Sequence, residues 1–304
     1  MDFDVIVVGG GPAGLTAATE VAKTGPRVLL LERESFGGRV MNTEWIEDWP
    51  QAGQRIEGPL LGSRLVEAAE AAGVKLELGE VVEVESYSSS RSVTTADGKA
   101  FTAPVLIIAA GLRNRLLGIP GEAEYQGKGV IRCAFCDAGL YKDKVVAVCG
   151  GGDAGVIEAL LLARYAKKVV LVEKAPGLTA SPALLRQLHA ATNIEIRNGQ
   201  TLASIQGDRA VTGAEIASID GGRREVLPAY GVLIQCGFDP ATTMVEGVVA
   251  LDDSGAIEVD GESSTDATGV LAAGDIRSQS TRRVAAALED GRRAATSALR
   301  LSAC

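Results

Sequence analysis

The chain is short of positive charge, of cysteine and, above all, of histidine, of which it has one. A formal net charge of −9 argues against nucleic acid or an anionic membrane surface as partner, because both would be repelled. Five cysteines are too few for a disulfide framework and suit a reducing compartment. No apolar run approaches the ~20 residues a membrane span needs. The acidic start Met1-Asp2-Phe3-Asp4 is unlike a secretory leader, so a water-soluble, cytoplasmic protein is expected. Glycine, by contrast, is plentiful: 37 residues predict many tight turns and close backbone approaches. A length of 304 residues with 46% hydrophobic content suits two domains, each with its own core.

Val5-Ile6-Val7-Val8 is a continuous apolar run, the pattern of a strand buried on both faces of a parallel sheet. Gly9-Gly10-Gly11-Pro12-Ala13-Gly14 follows, then a helical stretch over 15–23, a second strand over 28–31, and Glu32 at its end. This is the full dinucleotide-binding fingerprint. Glycines let a pyrophosphate reach the backbone, the helix N-terminus offers free N–H groups, and the acid takes ribose hydroxyls. The pattern recurs as Val145 to Val148, then Gly150-Gly151-Gly152-Asp153-Ala154-Gly155, then a strand over 169–172 ending in Glu173. Gly150 repeats Gly9 and Glu173 repeats Glu32, each 141 positions on. Two such folds imply two dinucleotides, most simply a flavin and a nicotinamide.

Between the two copies lies Cys133-Ala134-Phe135-Cys136-Asp137. Two intervening residues let the sulfurs close a small ring at little entropic cost, and such pairs commonly hold one thiol as the reactive thiolate. Asp137 is placed to shuttle a proton as charge moves through the pair. Two plainer readings stand beside redox use. The pair could be half a zinc site, although Cys149, Cys236, Cys304 and His189 supply no second paired spacing. It could also be two buried thiols.

The rest of the repeat is consistent. After each fingerprint, 74–108 and 194–234 alternate apolar and polar residues around turn signals, among them Asp97-Gly98 and Asn198-Gly199. The predicted fold class is therefore α/β, with two dinucleotide-binding (Rossmann-like) domains, each a parallel sheet plus an antiparallel β ribbon. In the tail, Val270 to Asp275 reads as a strand ending in an acid, and 281–301 as a long amphipathic helix. Asp275 is placed to meet a ribityl hydroxyl, and the helix N-terminus to favour an anionic reduced flavin ring; a plain capping aspartate is the alternative. Cys149 and Cys236, at predicted strand ends, read as buried structural thiols.

Over essentially its whole length the chain resembles the low-molecular-weight thioredoxin reductases. The matching segments are GGGPAGL at 9–15, Gly37-Gly38, Asp48-Trp49-Pro50, IIAAGLRNRLLGIPGE at 107–122, CAFCDAGLY at 133–141, GGGDAG at 150–155 and GVLAAGDI at 269–276. The resemblance implies a homodimer with FAD whose electrons pass from a nicotinamide through the flavin to the cysteine pair and on to thioredoxin or a thioredoxin-like protein. It implies a discontinuous FAD-binding domain, 1–112 with 239–304, and an inserted pyridine-nucleotide and disulfide domain, 113–238, that rotates. By the same resemblance Cys136 is the sulfur nearest the flavin, Cys133 attacks the partner and Asp137 is the acid. FAD falls to Gly9, Gly11, Pro12, Ala13, Gly14, Glu32, Gly38, Arg39, Asp48, Ala110, Gly111, Gly274, Asp275, Arg283 and Val284. The nicotinamide nucleotide falls to Gly150, Gly152, Asp153, Ala154, Gly155 and Glu173. No metal is expected. A histidine acid like that of the larger glutathione-reductase-type enzymes is not expected, and His189 reads as a surface or packing residue.

Three positions depart from the family pattern. Where NADPH-using members carry His-Arg-Arg and a later Arg, this chain has Glu173-Lys174-Ala175 and Thr179. A carboxylate there accepts ribose hydroxyls and repels a 2′-phosphate, which points to NADH rather than NADPH. Arg282-Arg283 replaces Arg-Gln at the start of the last helix, and Arg39 replaces Gln after the glycine pair. The departure at Glu173 leaves open a non-nicotinamide donor, such as ferredoxin or reduced flavin, or a dithiol oxidase. A flavin-bound redox sensor without turnover is a further alternative. Cys304 could serve as a second exchange thiol, though no neighbouring cysteine supports it.

Overall fold

The computed structural model describes residues 1–49 and 55–302; Pro50 and Cys304, both named above, lie outside them. Its α-helices are α1 (Pro12–Ala22), α2 (Gly58–Ala71), α3 (Ala134–Asp137), α4 (Asp153–Ala163), α5 (Pro182–Ala190) and α6 (Val284–Ser302). The chain forms two compact units, Met1–Arg113 with Asp239–Cys304, and Asn114–Phe238.

The first unit is built on a five-stranded sheet in the order Val270–Ala272, Val105–Ile108, Val5–Val8, Val28–Glu32, Lys75–Leu78. All neighbouring strands are parallel. Both faces are covered, which explains why the central strands read as unbroken apolar runs. Val5, Val7, Leu30 and Ile107 point to one side, against Leu15 and Val21 of α1 and Ala294 and Ala298 of α6. Ile6, Val8, Leu29 and Ile108 point to the other, against Val81, Val84 and Val93 of a three-stranded antiparallel sheet.

The second unit repeats the plan, with parallel order Val130–Ile131, Gly231–Ile234, Val145–Cys149, Lys168–Glu173, Ile194–Asn198. Val146, Val148 and Leu171 meet Val156 and Leu162 of α4 and Leu188 of α5. Ala147, Cys149, Val170 and Val172 meet Leu202, Ile205 and Ile216 of a second three-stranded antiparallel sheet.

Two details correct the alternating-pattern reading. The first strands of the expected ribbons, Lys75–Leu78 and Ile194–Asn198, join the parallel sheets as edge strands. An edge strand of such a sheet meets solvent on part of its surface, so it alternates like a hairpin strand. The last helix starts at Val284 rather than at 281, because Arg282 adopts a left-handed φ of 55°, which a helix cannot continue.

Candidate active site

In each unit the strand order reverses beside the strand that precedes the glycine loop, and the crevice outside the carboxyl ends of the strands is where α/β sheets take ligands. In the first unit a cavity of about 170 Å³ opens there. It gathers Gly9, Gly11, Pro12 and Ala13 after one strand, Glu32 after the second, Ala110 and Gly111 after the third, and Gly274 and Asp275 after the fourth; Gly38 and Arg39 close the rim. These are eleven of the fifteen residues assigned above to FAD. Gly14 packs behind the cavity: a Cβ there would overlap the Gly9 carbonyl oxygen. Arg283 is exposed and Val284 half-buried at the start of α6. Asp48 does not line the cavity; its carboxylate accepts from the Ala285 N–H at 3.3 Å, satisfying an otherwise unpaired donor of the first turn of α6.

The glycines divide the work. At Gly9, φ is 108° and a Cβ would overlap the Ala109 carbonyl, so the loop can cross the neighbouring strand only as glycine. At Gly11, in contrast, the nearest atom to a Cβ is 4.0 Å away, so its backbone faces open space at the N-terminus of α1. Glu32 accepts from Gly10 N–H at 2.7 Å and from Glu34 N–H at 3.0 Å, which fixes the carboxylate at the cavity edge. Asp275 accepts from the Ser280 hydroxyl at 2.8 Å. These observations fit a dinucleotide: an uncrowded glycine at a helix N-terminus for the pyrophosphate, and anchored carboxylates for hydroxyls.

The second unit has the same cradle. A Cβ on Gly150 would overlap the Gln235 carbonyl oxygen and one on Gly155 the Gly150 carbonyl oxygen, while Gly152 meets nothing nearer than Thr179 Oγ1 at 3.8 Å. Glu173 accepts from Gly151 N–H at 2.5 Å and Ala175 N–H at 2.8 Å. Asp153 accepts from Ser181 N–H at 2.6 Å; Ala154 follows it in the first turn of α4. The side-chain oxygen of Gln235, just past a strand end, is buried without a hydrogen-bond partner among the described residues. Such an orphan acceptor calls for a donor from outside the chain.

Cys133 and Cys136 are joined in a disulfide, with Cα atoms 5.4 Å apart. Cys133 caps α3 by accepting from Cys136 N–H at 3.0 Å. The two sulfurs differ in cover: Cys133 is buried and Cys136 exposed. Asp137 ends α3, half-buried, and burial pushes its carboxyl above the ordinary range. Glu158 of α4 accepts from Ala134 N–H at 2.9 Å. Bonded to each other, these two sulfurs are not a pair of free thiols.

Several contributors were not read from the sequence. Asp290 of α6 is 2% exposed and accepts from Nε and Nη2 of Arg277, at 2.6 and 2.9 Å, while also accepting from Gly274 N–H at 3.3 Å. It thereby fixes the turn that presents Asp275. The only sequence signal was an acid on the alanine-rich face of an amphipathic helix. Cys149 and Cys236, read separately as structural thiols, have sulfurs 3.2 Å apart. His189 is exposed near the end of α5.

The profile of a family described as pyridine nucleotide-disulphide oxidoreductase matches residues 3–291. A thioredoxin reductase of Listeria monocytogenes is 36% identical over 95% of this chain and 90% of its own length. Among solved structures, the thioredoxin reductase of Lactococcus lactis superposes with a TM-score of 0.91 at 32% identity, covering 99% of both chains. A ferredoxin-flavin thioredoxin reductase from Clostridium acetobutylicum is more distant, with a TM-score of 0.53 and 26% identity over 98% of this chain and 97% of that one.

Proposed function

The chain belongs to the pyridine nucleotide-disulphide oxidoreductase family, among the thioredoxin reductases, and on that premise we propose an FAD-dependent enzyme that takes electrons from NADH in preference to NADPH and reduces the disulfide of thioredoxin or a thioredoxin-like protein. The observation that carries this reading is the Cys133–Cys136 disulfide, one sulfur of it exposed, in a chain with two glycine cradles. When bound, FAD would supply the two-electron link between nicotinamide and disulfide. The first unit would hold it: Gly11 and the α1 N-terminus at the pyrophosphate, Glu32 at ribose hydroxyls, Asp275 at the ribityl chain. The second unit would hold the nicotinamide nucleotide, with Gly152 and the α4 N-terminus at its pyrophosphate and Glu173 at the adenosine ribose. A homodimer in the cytoplasm is part of the same reading; no helix among the described residues is long and apolar enough to cross a membrane.

Glu173 carries the donor preference. Its carboxylate is held by two backbone N–H groups, so it cannot easily swing aside to admit a 2′-phosphate, and two anions in one pocket repel. Thioredoxin reduction with each nucleotide is the test. A kcat/KM for NADH at least about tenfold above that for NADPH, a difference of about 1.4 kcal/mol, is expected; parity, or preference for NADPH, would overturn the role of Glu173. The same carboxylate, together with the ferredoxin-flavin neighbour, motivates a second reading in which the donor is a reduced ferredoxin. Flavin reduction by ferredoxin but by neither nucleotide would select it.

Reduction of the pair takes up two electrons, breaks the S–S bond and requires protons. Asp137, its carboxyl proton retained above the usual pH range by burial, is the nearby group that can give one. Attack on the partner falls to Cys133 in this proposal, so the side chains that bury it must move aside during turnover.

A further inference from the structure

A second pair of sulfurs occupies the crevice end of the second sheet. Cys149 closes the strand Val145–Cys149, and Cys236 lies two residues beyond the neighbouring parallel strand Gly231–Ile234, whose Ile234 is in register with Cys149. Between these two strands the order of the sheet reverses, so the pair straddles the point at which such folds take their ligand. The thiols are free and their sulfurs are 3.2 Å apart; Cys236 Sγ also lies 3.5 Å from the Cys149 carbonyl oxygen. Cys149 is buried and Cys236 half-buried. A disulfide has its sulfurs about 2.05 Å apart, so an approach of roughly 1 Å would join them. A thiol-bound metal would need wider spacing and more ligands.

We propose that Cys149 and Cys236 are an oxidation site: hydrogen peroxide converts them to a second disulfide, which closes the glycine cradle of the second unit and weakens nicotinamide-nucleotide binding there. The effect on nucleotide binding rests on the reading above; formation of the bond does not.

The chemistry balances. The Cys236 thiolate attacks one peroxide oxygen, the O–O bond breaks, and the released hydroxide takes up the proton Cys236 had lost, leaving one water and a sulfenic acid. The Cys149 sulfur then attacks the Cys236 sulfur, the S–S bond forms, and hydroxide leaves with the Cys149 proton as a second water. Two thiols lose two electrons and the peroxide gains them. The order of events follows from exposure, since only Cys236 is accessible. The hydrogen bond between the sulfurs acts in the same direction: with burial, it holds the Cys149 thiol well above the ordinary range, and it draws Cys236 below.

The consequence follows from the backbone. The Gln235 carbonyl already sits so close to Gly150 that no Cβ fits, and Gln235 N–H donates to the Cys149 carbonyl at 2.7 Å. Drawing Cys236 toward Cys149 presses Gln235 and the Cys236 backbone onto Gly150. The loop amides that would meet the pyrophosphate have no slack to absorb that shift.

Cys133→Ser/Cys136→Ser protein, with FAD bound, removes the known disulfide from the test. After hydrogen peroxide treatment and alkylation, a Cys149–Cys236-linked peptide is expected in the non-reduced mass map. NADH affinity by equilibrium dialysis should fall at least tenfold and return with dithiothreitol, and Cys236→Ser should abolish both effects. Unlinked or sulfinic cysteines would overturn the proposal, as would linked peptides with unchanged NADH affinity. Reduced protein that binds neither NADH nor NADPH would instead refute the nicotinamide reading, while the peptide map would still report on the bond.

Discussion

The two sulfurs of the Cys133–Cys136 disulfide are chemically unequal because the protein surrounds them differently. A covered Cys133 and an exposed Cys136 make the division of labour testable by trapping. Cys136→Ser, mixed with a thioredoxin lacking its resolving cysteine, is expected to give a stable mixed disulfide through Cys133; trapping only with Cys133→Ser would reverse the roles. Either substitution is expected to cut turnover of a protein disulfide by at least about 10³-fold, since the thiolate exchange has no substitute. Asp137→Asn should slow turnover about 10²-fold if the residue delivers a proton.

The same aspartate bears on stability. Burial raises its carboxyl pKa in the folded chain, so the folded state binds that proton more tightly than the unfolded one. Stability therefore falls as pH rises from the ordinary aspartate value, about 3.9, through the raised one, and stays lower above it. Asp137→Asn removes this cost. Its melting temperature is expected to match or exceed wild type at pH 7, with the margin disappearing toward pH 4; a melting point several degrees lower at pH 7 would contradict the sign.

At the scale of elements, the turn after the last parallel strand depends on α6. Arg277 and Asp290 are both largely buried, so Asp290→Ala leaves a guanidinium without its partner. A loss of about 3 kcal/mol in urea unfolding is expected, together with weaker FAD retention as the Gly274 turn loosens. Glu262→Ala at the exposed Arg300 pair should change stability by less than about 1 kcal/mol. The glycine loops allow a second comparison. Gly11→Val fills the open approach of the first cradle and should give colourless protein. Gly152→Val does so in the second, and should keep the flavin while abolishing its reduction by NADH.

The sequence showed these elements unevenly. Both glycine loops and the acids at the ends of their second strands were legible, because their spacing is a direct consequence of how a strand, turn and helix meet a dinucleotide. Lys75–Leu78 and Ile194–Asn198 were misread as ribbon strands, since partial exposure gives an edge strand the same alternation. Arg277 with Asp290, and Cys149 with Cys236, were invisible as pairs. Each is made by topology between residues whose local context gives no hint of a partner.

At the scale of the molecule, one plan is used twice, and the repeat of the glycine loop and its acid at one fixed offset announces it. Each unit buries its parallel sheet between helices and an antiparallel sheet, which frees the crevice at the strand ends for a ligand. Two cradles and the Cys133–Cys136 disulfide fit the electron path proposed above. Anaerobic titration of the purified protein with NADH, following flavin absorbance, tests that path most directly. Wild type is expected to bleach only after about two NADH per chain, one pair of electrons for the flavin and one for the disulfide, and Cys136→Ser after about one. A flavin that stays oxidised under excess NADH and NADPH, or equal stoichiometry in the two proteins, would contradict it.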